Sequence, residues 1–322
     1  MSGAFDDIDI LPSEAALGEA RAAIEVYNAR RPEAEAEIRK NLFLFMPPFA
    51  AVCAAYIWLA FPVFSGKGFV STMVIGIGAA LVYGGIKLWE YCHSPGKYLQ
   101  AFTRDELMPK VFGFVDGVRF QQASAPNFAS QIPASAIVRH NRIEYDDLIR
   151  GTHHGMAFEL SECAYWFKAG KTDSKEFQGV VLNFKLDTPF AGELIISKRQ
   201  SGFQRFFNGA PADKHLGEFT PENNEVKALH SVRSNNWQHA CKLVDGPLAQ
   251  TLLWLNRTWP DGIARIALKD GDGYLFVPSQ KNFFELPDIA ISVNYSAHVE
   301  PMIRQLAMLL ATADLVRKAV MR

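Results

Sequence analysis

LFLFMPPFAAVCAAYIWLAFPVF at residues 42–64, the link Ser65-Gly66-Lys67-Gly68, and FVSTMVIGIGAALVYGGI at residues 69–86 decide the architecture of this chain. Neither run carries a charged side chain. A helix rises about 1.5 Å per residue and a bilayer's hydrocarbon core is about 30 Å thick, so the first run can span it and the second can span with its flanks. The pattern predicts a transmembrane helical hairpin over residues 42–89, with residues 1–41 before it and 90–322 after it.

The flanks orient the hairpin. Arg30, Arg31, Arg39 and Lys40 precede it, Lys87, Lys97 and Arg104 follow it, and Lys67 alone occupies the link. Basic residues near span ends resist translocation, which predicts a plasma-membrane, multi-pass protein with both termini cytoplasmic. Some forty residues precede the first run, unlike a cleaved leader with its short basic start. Charged groups inside spans mark ion and proton paths. Their absence points to an anchor rather than a transporter. Gly76, Ala80 and Gly84 repeat at four-residue spacing, as do Ala51 and Ala55, and such small faces are expected to pair the two helices. A second copy of the chain is the alternative occupant of that face.

Composition excludes several classes. Residues 90–322 carry 26 Lys and Arg against 25 Asp and Glu, a balance that offers no bulk field for nucleic acid. None of Cys53, Cys92, Cys163 and Cys241 forms a Cys-x-x-Cys pair, which argues against zinc or dithiol chemistry. Asp6, Asp7 and Asp9 make residues 1–11 an acidic tail, and Ser13 can cap a helix with Leu17, Ala20, Ile24 and Tyr27 on one face, interrupted at Pro32.

After the hairpin, Tyr98 to Phe114 reads as a helix, and from Glu144 the period changes to two. Met156, Phe158 and Leu160 alternate, then Cys163, Tyr165 and Phe167 on the other parity, as in a bulged strand. Val180, Leu182, Phe184 and Leu186 follow, then Leu194 to Ile196, which suggests an antiparallel meander. Pro247 to Thr258 reads as a helix, Ile263–Leu268 and Gly273–Val277 as a hairpin around Asp270-Gly271-Asp272, and Val299 to Met321 as a last helix. Its expected core face is Met302, Leu306, Leu309, Leu310 and Leu315 with Val316 beside it. The fold class is α+β: a two-helix hairpin, then an antiparallel sheet with packed helices. Residues 200–224 read as an irregular connection that divides residues 90–322 into two subdomains on one reading and interrupts a single domain on the other.

Chemistry is sparsely signalled. His153 and His154 adjoin Gly155 in an expected turn, with Glu159 and Glu162 on the next strand, but adjacent strand residues point to opposite faces and would share a metal only if the turn twists them together. Asp146 and Asp147 are likewise on opposite faces. Asp270-Gly271-Asp272-Gly273 lacks the Glu at the twelfth loop position that a calcium loop needs, since Lys281 stands there. Ser161, Ser197 and Ser201 lack a nucleophile elbow, and no phosphate-binding glycine loop occurs. Lys198, Arg199, Arg205 and Lys214 surround Phe203, Phe206 and Phe207, which suits either a bilayer surface or a loop anchored on the sheet. No catalytic, cofactor-binding or metal-binding residue is assigned.

Glu106-Leu107-Met108-Pro109-Lys110, Asp147-Leu148-Ile149-Arg150-Gly151, Phe158-Glu159-Leu160-Ser161-Glu162, Phe177-Gln178-Gly179-Val180-Val181 and Phe284-Glu285, in this order behind a membrane hairpin, carry a resemblance. The chain resembles an uncharacterised bacterial inner-membrane family, the domain of unknown function numbered three thousand one hundred and thirty-seven, over most of its length and least around residues 200–224. The resemblance implies an inner-membrane protein with a cytoplasmic α+β domain, and it transfers no catalytic residue. The expected function is a membrane-anchored cytoplasmic interaction module, with the lipid bilayer and a protein as partners. The alternative is a membrane-bound enzyme acting on a lipid or envelope precursor through His153, His154, Glu159 and Glu162.

Overall fold

The computed structural model describes residues 14–61, 69–170, 172–199 and 215–321. The acidic tail, the link at 65–68 and the basic and aromatic residues of 200–214 lie outside the described residues. Two compact units emerge, one of Glu14–Lys110 with Leu286–Val299, the other built on Val111–Glu285 with Glu300–Arg322.

The helical unit begins with α1 (Glu14–Ala60), followed by α2 (Phe69–Cys92) and α3 (Ser94–Val111). At 47 residues α1 is about 70 Å long. It runs unbroken through Pro32, Pro47 and Pro48, where the sequence predicts an interruption at Pro32. Each proline forfeits one amide donor, and around Pro32 tertiary contacts outweigh that loss. Asn28 donates to the Val293 carbonyl at 2.8 Å and accepts from the Val293 amide at 2.9 Å, while Arg31 donates to the Ile289 carbonyl at 3.1 Å. The predicted face Leu17, Ala20, Ile24 and Tyr27 is buried.

Both α1 and α2 contain stretches long and apolar enough to cross a membrane, and among the described residues nothing buries those stretches. The helices pair through other glycines than expected. A Cβ on Gly78 would meet the Tyr56 hydroxyl at 2.8 Å, and one on Gly85 would meet the Phe49 ring at 3.0 Å. Tyr56 also donates to the Val74 carbonyl at 2.5 Å. Gly76 and Gly84 have nothing within 4 Å of a built Cβ, and Ala51 and Ala55 are exposed. At about 100° per residue Gly76 stands roughly 200° from Gly78. The evenly spaced stripe therefore faces away from α1.

The second unit holds a seven-stranded antiparallel sheet of β1 (Asp116–Gln122), β2 (Arg142–His153), β3 (Met156–Ala169), β4 (Thr172–Lys198), β5 (Gly217–Phe219), β6 (His230–Ser234) and β7 (Arg265–Pro278). The order β1-β2-β3-β4-β6-β5 contains the expected meander, and β7 also pairs with β4. Asp270-Gly271-Asp272 is not a hairpin: β7 is one strand that stays on β4 from Gly179↔Pro278 to Ile196↔Ile266. The register shifts between Lys185 and Glu193, and Asp270 has φ 53. Turn-forming residues here bend a strand beside a bend in its partner. The irregularity placed in β3 lies instead in β2, between Tyr145 and Leu148, and between Tyr165 and Trp166 on the β4 side of β3.

The bent ladder brings its ends together. The Gln280 amide, past the end of β7, donates to Asp261, before its start, at 2.9 Å. Phe177, Val181, Ile195, Ala267, Tyr274 and Phe276 share one core cluster with Phe128 and Ile132 from the 3-10 segment around Asn127–Ser130. Between the strands lie α4 (Asn224–Leu229) and α5 (Trp237–Val244), capped by Asn223 and Asn236, and α6 (Pro247–Thr258), which opens with Pro247 in its first turn. The last helix, α7 (Glu300–Val320), packs on β4, β7 and α6. Met302, Leu306, Leu309, Leu310 and Val316 are buried as expected, but Leu315 is 41% exposed.

Candidate functional site

The two-residue turn between β2 and β3 pairs His153 with Met156 and places His154 at φ 49 and Gly155 at φ 76, which a type I′ turn requires. This twist overturns the expectation for adjacent strand residues. The His153 and His154 rings stack, with centroids 4.0 Å apart. Burial, with His154 beside it, pushes the His153 imidazole below its ordinary pKa. The expected carboxylates do not join them. Glu159 pairs with Arg150 and accepts from the Asn127 amide at 3.0 Å, so it fixes the 3-10 segment on the sheet. Among the described residues no three His, Cys, Asp or Glu side chains converge on a metal-sized site.

Glu162 lies further along β3. Tyr145 pairs with Cys163 and Leu148 with Ser161, so Asp146 and Asp147 together oppose Glu162 across a β-bulge. Asp147 is buried and Asp146 exposed, as strand alternation predicts. Glu162 is 5% exposed and accepts from the Phe283 amide at 2.7 Å. Asp146 accepts from Asn282 at 2.6 Å, tying the same loop to the bulge. Burial raises the Glu162 pKa to about 8 against the pull of the Phe283 amide, and the charges of Asp147 and Asp146 add to the rise. The shift favours the protonated acid near neutral pH, beside two aspartates and the Phe283 amide. The arrangement can store and release a proton, but no nucleophile stands in it.

The sequence signals this group weakly. A Glu between Ser161 and Cys163 looks like an outward strand residue until both faces of β3 are seen to be covered there, Ser161, Glu162 and Cys163 all being buried. Arg317, by contrast, is not singled out by the sequence at all. It is 8% exposed and pairs with Asp314 at 2.6 Å and with Asp187, at the bend of β4, at 3.2 Å. Only the tertiary fold joins positions so far apart in the chain.

The helical unit offers a different kind of surface. Phe43 and Trp58 on α1 and Phe61 just past its end are 84%, 77% and 79% exposed, an apolar surface of the kind that marks an interaction or membrane face. Toward the other end of α1, Val26, Tyr27, Leu99 and Phe102 line a groove of about 240 Å³ between α1 and α3. Glu19, Arg30, Glu106 and Lys110 rim it, and Arg30 stacks over the Phe102 ring at 5.1 Å.

Comparison with known proteins now adds a family. The family model described as a protein of unknown function, DUF3137, matches residues 175–318, from the start of β4 to the end of α7. The motifs quoted from residues 106–162 fall outside the match, whereas residues 200–224, where the resemblance is weakest, fall inside it. No curated protein matches the sequence. A crystal structure of the mycobacterial trehalose monomycolate transport factor A, TtfA, is similar at 10% identity and a TM-score of 0.32, covering 61% of this chain and 88% of that one. Over residues 175–318 this chain is thus similar to the DUF3137 family of proteins of unknown function.

Proposed function

We propose that this protein is a membrane-anchored interaction module of the bacterial plasma membrane, with both termini cytoplasmic and the sheet unit held at the inner surface. The observation that carries this reading is the exposure of two charge-free apolar stretches, one within α1 and one within α2, paired through Tyr56, Gly78 and Gly85. The lipid bilayer is the first partner. A second copy of the chain is the protein partner, docking on the groove between α1 and α3. Its rim carries two acids, Glu19 and Glu106, and two bases, Arg30 and Lys110, so a twofold axis can set acid against base.

One cysteine experiment tests both parts. In a chain whose four native cysteines are replaced by alanine, Lys67→Cys should react with an impermeant maleimide from outside intact cells, and Val26→Cys should not. In the same membranes Val26→Cys should give a disulfide-linked dimer on mild oxidation, dissolved by Phe102→Glu. Internal labelling of position 67 overturns the orientation, and a monomer at position 26 overturns the dimer.

A further inference from the structure

The folding of the β4–β7 ladder leaves a cleft where its ends meet. Lys175–Gln178, Lys198, Asp261–Ile263, Arg265 and Pro278–Gln280 line it, and the cleft measures about 470 Å³. That size falls within the range of small-molecule sites, about 300–1,000 Å³.

Arg265 is the unusual group. Its Nε is fully buried without a hydrogen-bond partner, and among the described residues no carboxylate pairs with its guanidinium. Two other guanidinium groups of this unit are matched, Arg150 by Glu159 and Arg317 by Asp314 and Asp187. The nearby acids are engaged: Asp261 accepts from the Gln280 amide at 2.9 Å and Glu176 from the Ser174 hydroxyl at 2.6 Å. Burial lowers the Arg265 pKa, against a smaller opposing influence from the Tyr165 side chain. A guanidinium stays charged at any physiological pH, so a largely desolvated one without a counter-ion is costly. Lys175 and Lys198 leave the cleft with more cations than anions, while Phe177, Ile263 and Pro278 supply apolar wall.

We infer that this cleft binds a small organic oxyanion, a carboxylate or phosphate monoester with a short apolar body, whose two oxygens take the Arg265 fork and whose body lies on Phe177 and Ile263. A planar donor fork matches both head groups bidentately, and Lys198 at the open edge adds a second cation. The inference is independent of the membrane-anchor reading, since every residue in it belongs to the sheet unit.

The test uses the full chain in detergent micelles, titrated calorimetrically with inorganic phosphate, octyl phosphate and octanoate. Octyl phosphate or octanoate should bind with submillimolar affinity. Inorganic phosphate should bind at least about tenfold more weakly if the apolar wall contributes as assigned. Arg265→Gln should weaken binding at least about tenfold and Arg265→Lys less, because Lys keeps the charge but loses the fork. Arg257→Gln, at an exposed pair with Glu225, should leave binding unchanged. Should Arg265→Gln fail to fold, Ile263→Asp and Arg265→Lys carry the test. Equal binding by wild type and these variants, or no binding by any probe below about 10 mM, overturns the assignment.

Discussion

Gly179 in the sheet and Gly76 and Gly84 in the hairpin answer different constraints, in keeping with the solvent proposed for each unit. In the sheet, Gly179 has φ 146, and a Cβ there would overlap the Val277 carbonyl and the Ser279 amide. In the hairpin, Gly76 and Gly84 could carry side chains into open space. Polarity follows the same division. The sheet unit buries Glu159, Glu162 and Arg317, each held by a partner, whereas the hairpin exposes Phe43, Trp58 and Phe61. A water-facing domain needs a tight interior with most of its buried polar groups answered. A lipid-facing hairpin needs only close approach along one seam.

The strongest way to break the comparison is Gly179→Ala. A positive φ costs about 1–3 kcal/mol for a non-glycine residue, and overlap with backbone atoms of β7 adds to it. The expected loss is about 4 kcal/mol or more, with the fluorescence melt of the sheet unit collapsing. A melting temperature within a degree of wild type would show that the β4–β7 ladder yields there.

Glu162→Gln comes next. Because the folded-state pKa, about 8, lies above the ordinary 4.5, the folded chain holds a proton that the unfolded chain has released between those values. The stability from neutral Glu162 is therefore complete below about pH 4.5 and is lost as pH rises through about 8. Glutamine keeps the acceptor for the Phe283 amide and cannot ionise. Its melting temperature should match wild type near pH 5 and exceed it by several degrees at pH 9. Parallel curves across that range would place the ionised carboxylate in the fold at neutral pH.

Much of this was legible in the sequence, and the failures share a cause. Charge-free runs at 42–64 and 69–86 and period-two alternation from Met156 to Leu186 are local signals of solvent and strand. Pro32 and Asp270-Gly271-Asp272 are also local signals, of a helix stop and a tight turn, and both were overridden. Val293 and Ile289 clamp the helix at Pro32 from more than 250 positions away, and β4 supplies the partner that keeps β7 a single strand. The stacked His153 and His154 rings needed the positive φ of His154, which the sequence His-Gly permits without announcing. Arg265 reads as an ordinary strand end, since only the folded ladder brings Gln178 and Gln280 beside it.

The smallest effect probes the hairpin itself. Gly78 and Gly84 differ by six positions, about 240° around α2, so one faces the seam and the other the surroundings. Gly78→Leu must displace the Tyr56 ring and its 2.5 Å hydrogen bond to the Val74 carbonyl, at about 1–2 kcal/mol. Gly84→Leu meets nothing within 4 Å and gains helix propensity, so it should be neutral or stabilising by about 0.5–1 kcal/mol. Sodium dodecyl sulfate titration in mixed micelles, followed by circular dichroism, reads both as shifts in the unfolding midpoint, Gly78→Leu earlier and Gly84→Leu equal or later. The reverse order would mean that the regularly spaced stripe is the true helix seam, and that Tyr56 does not hold α1 to α2.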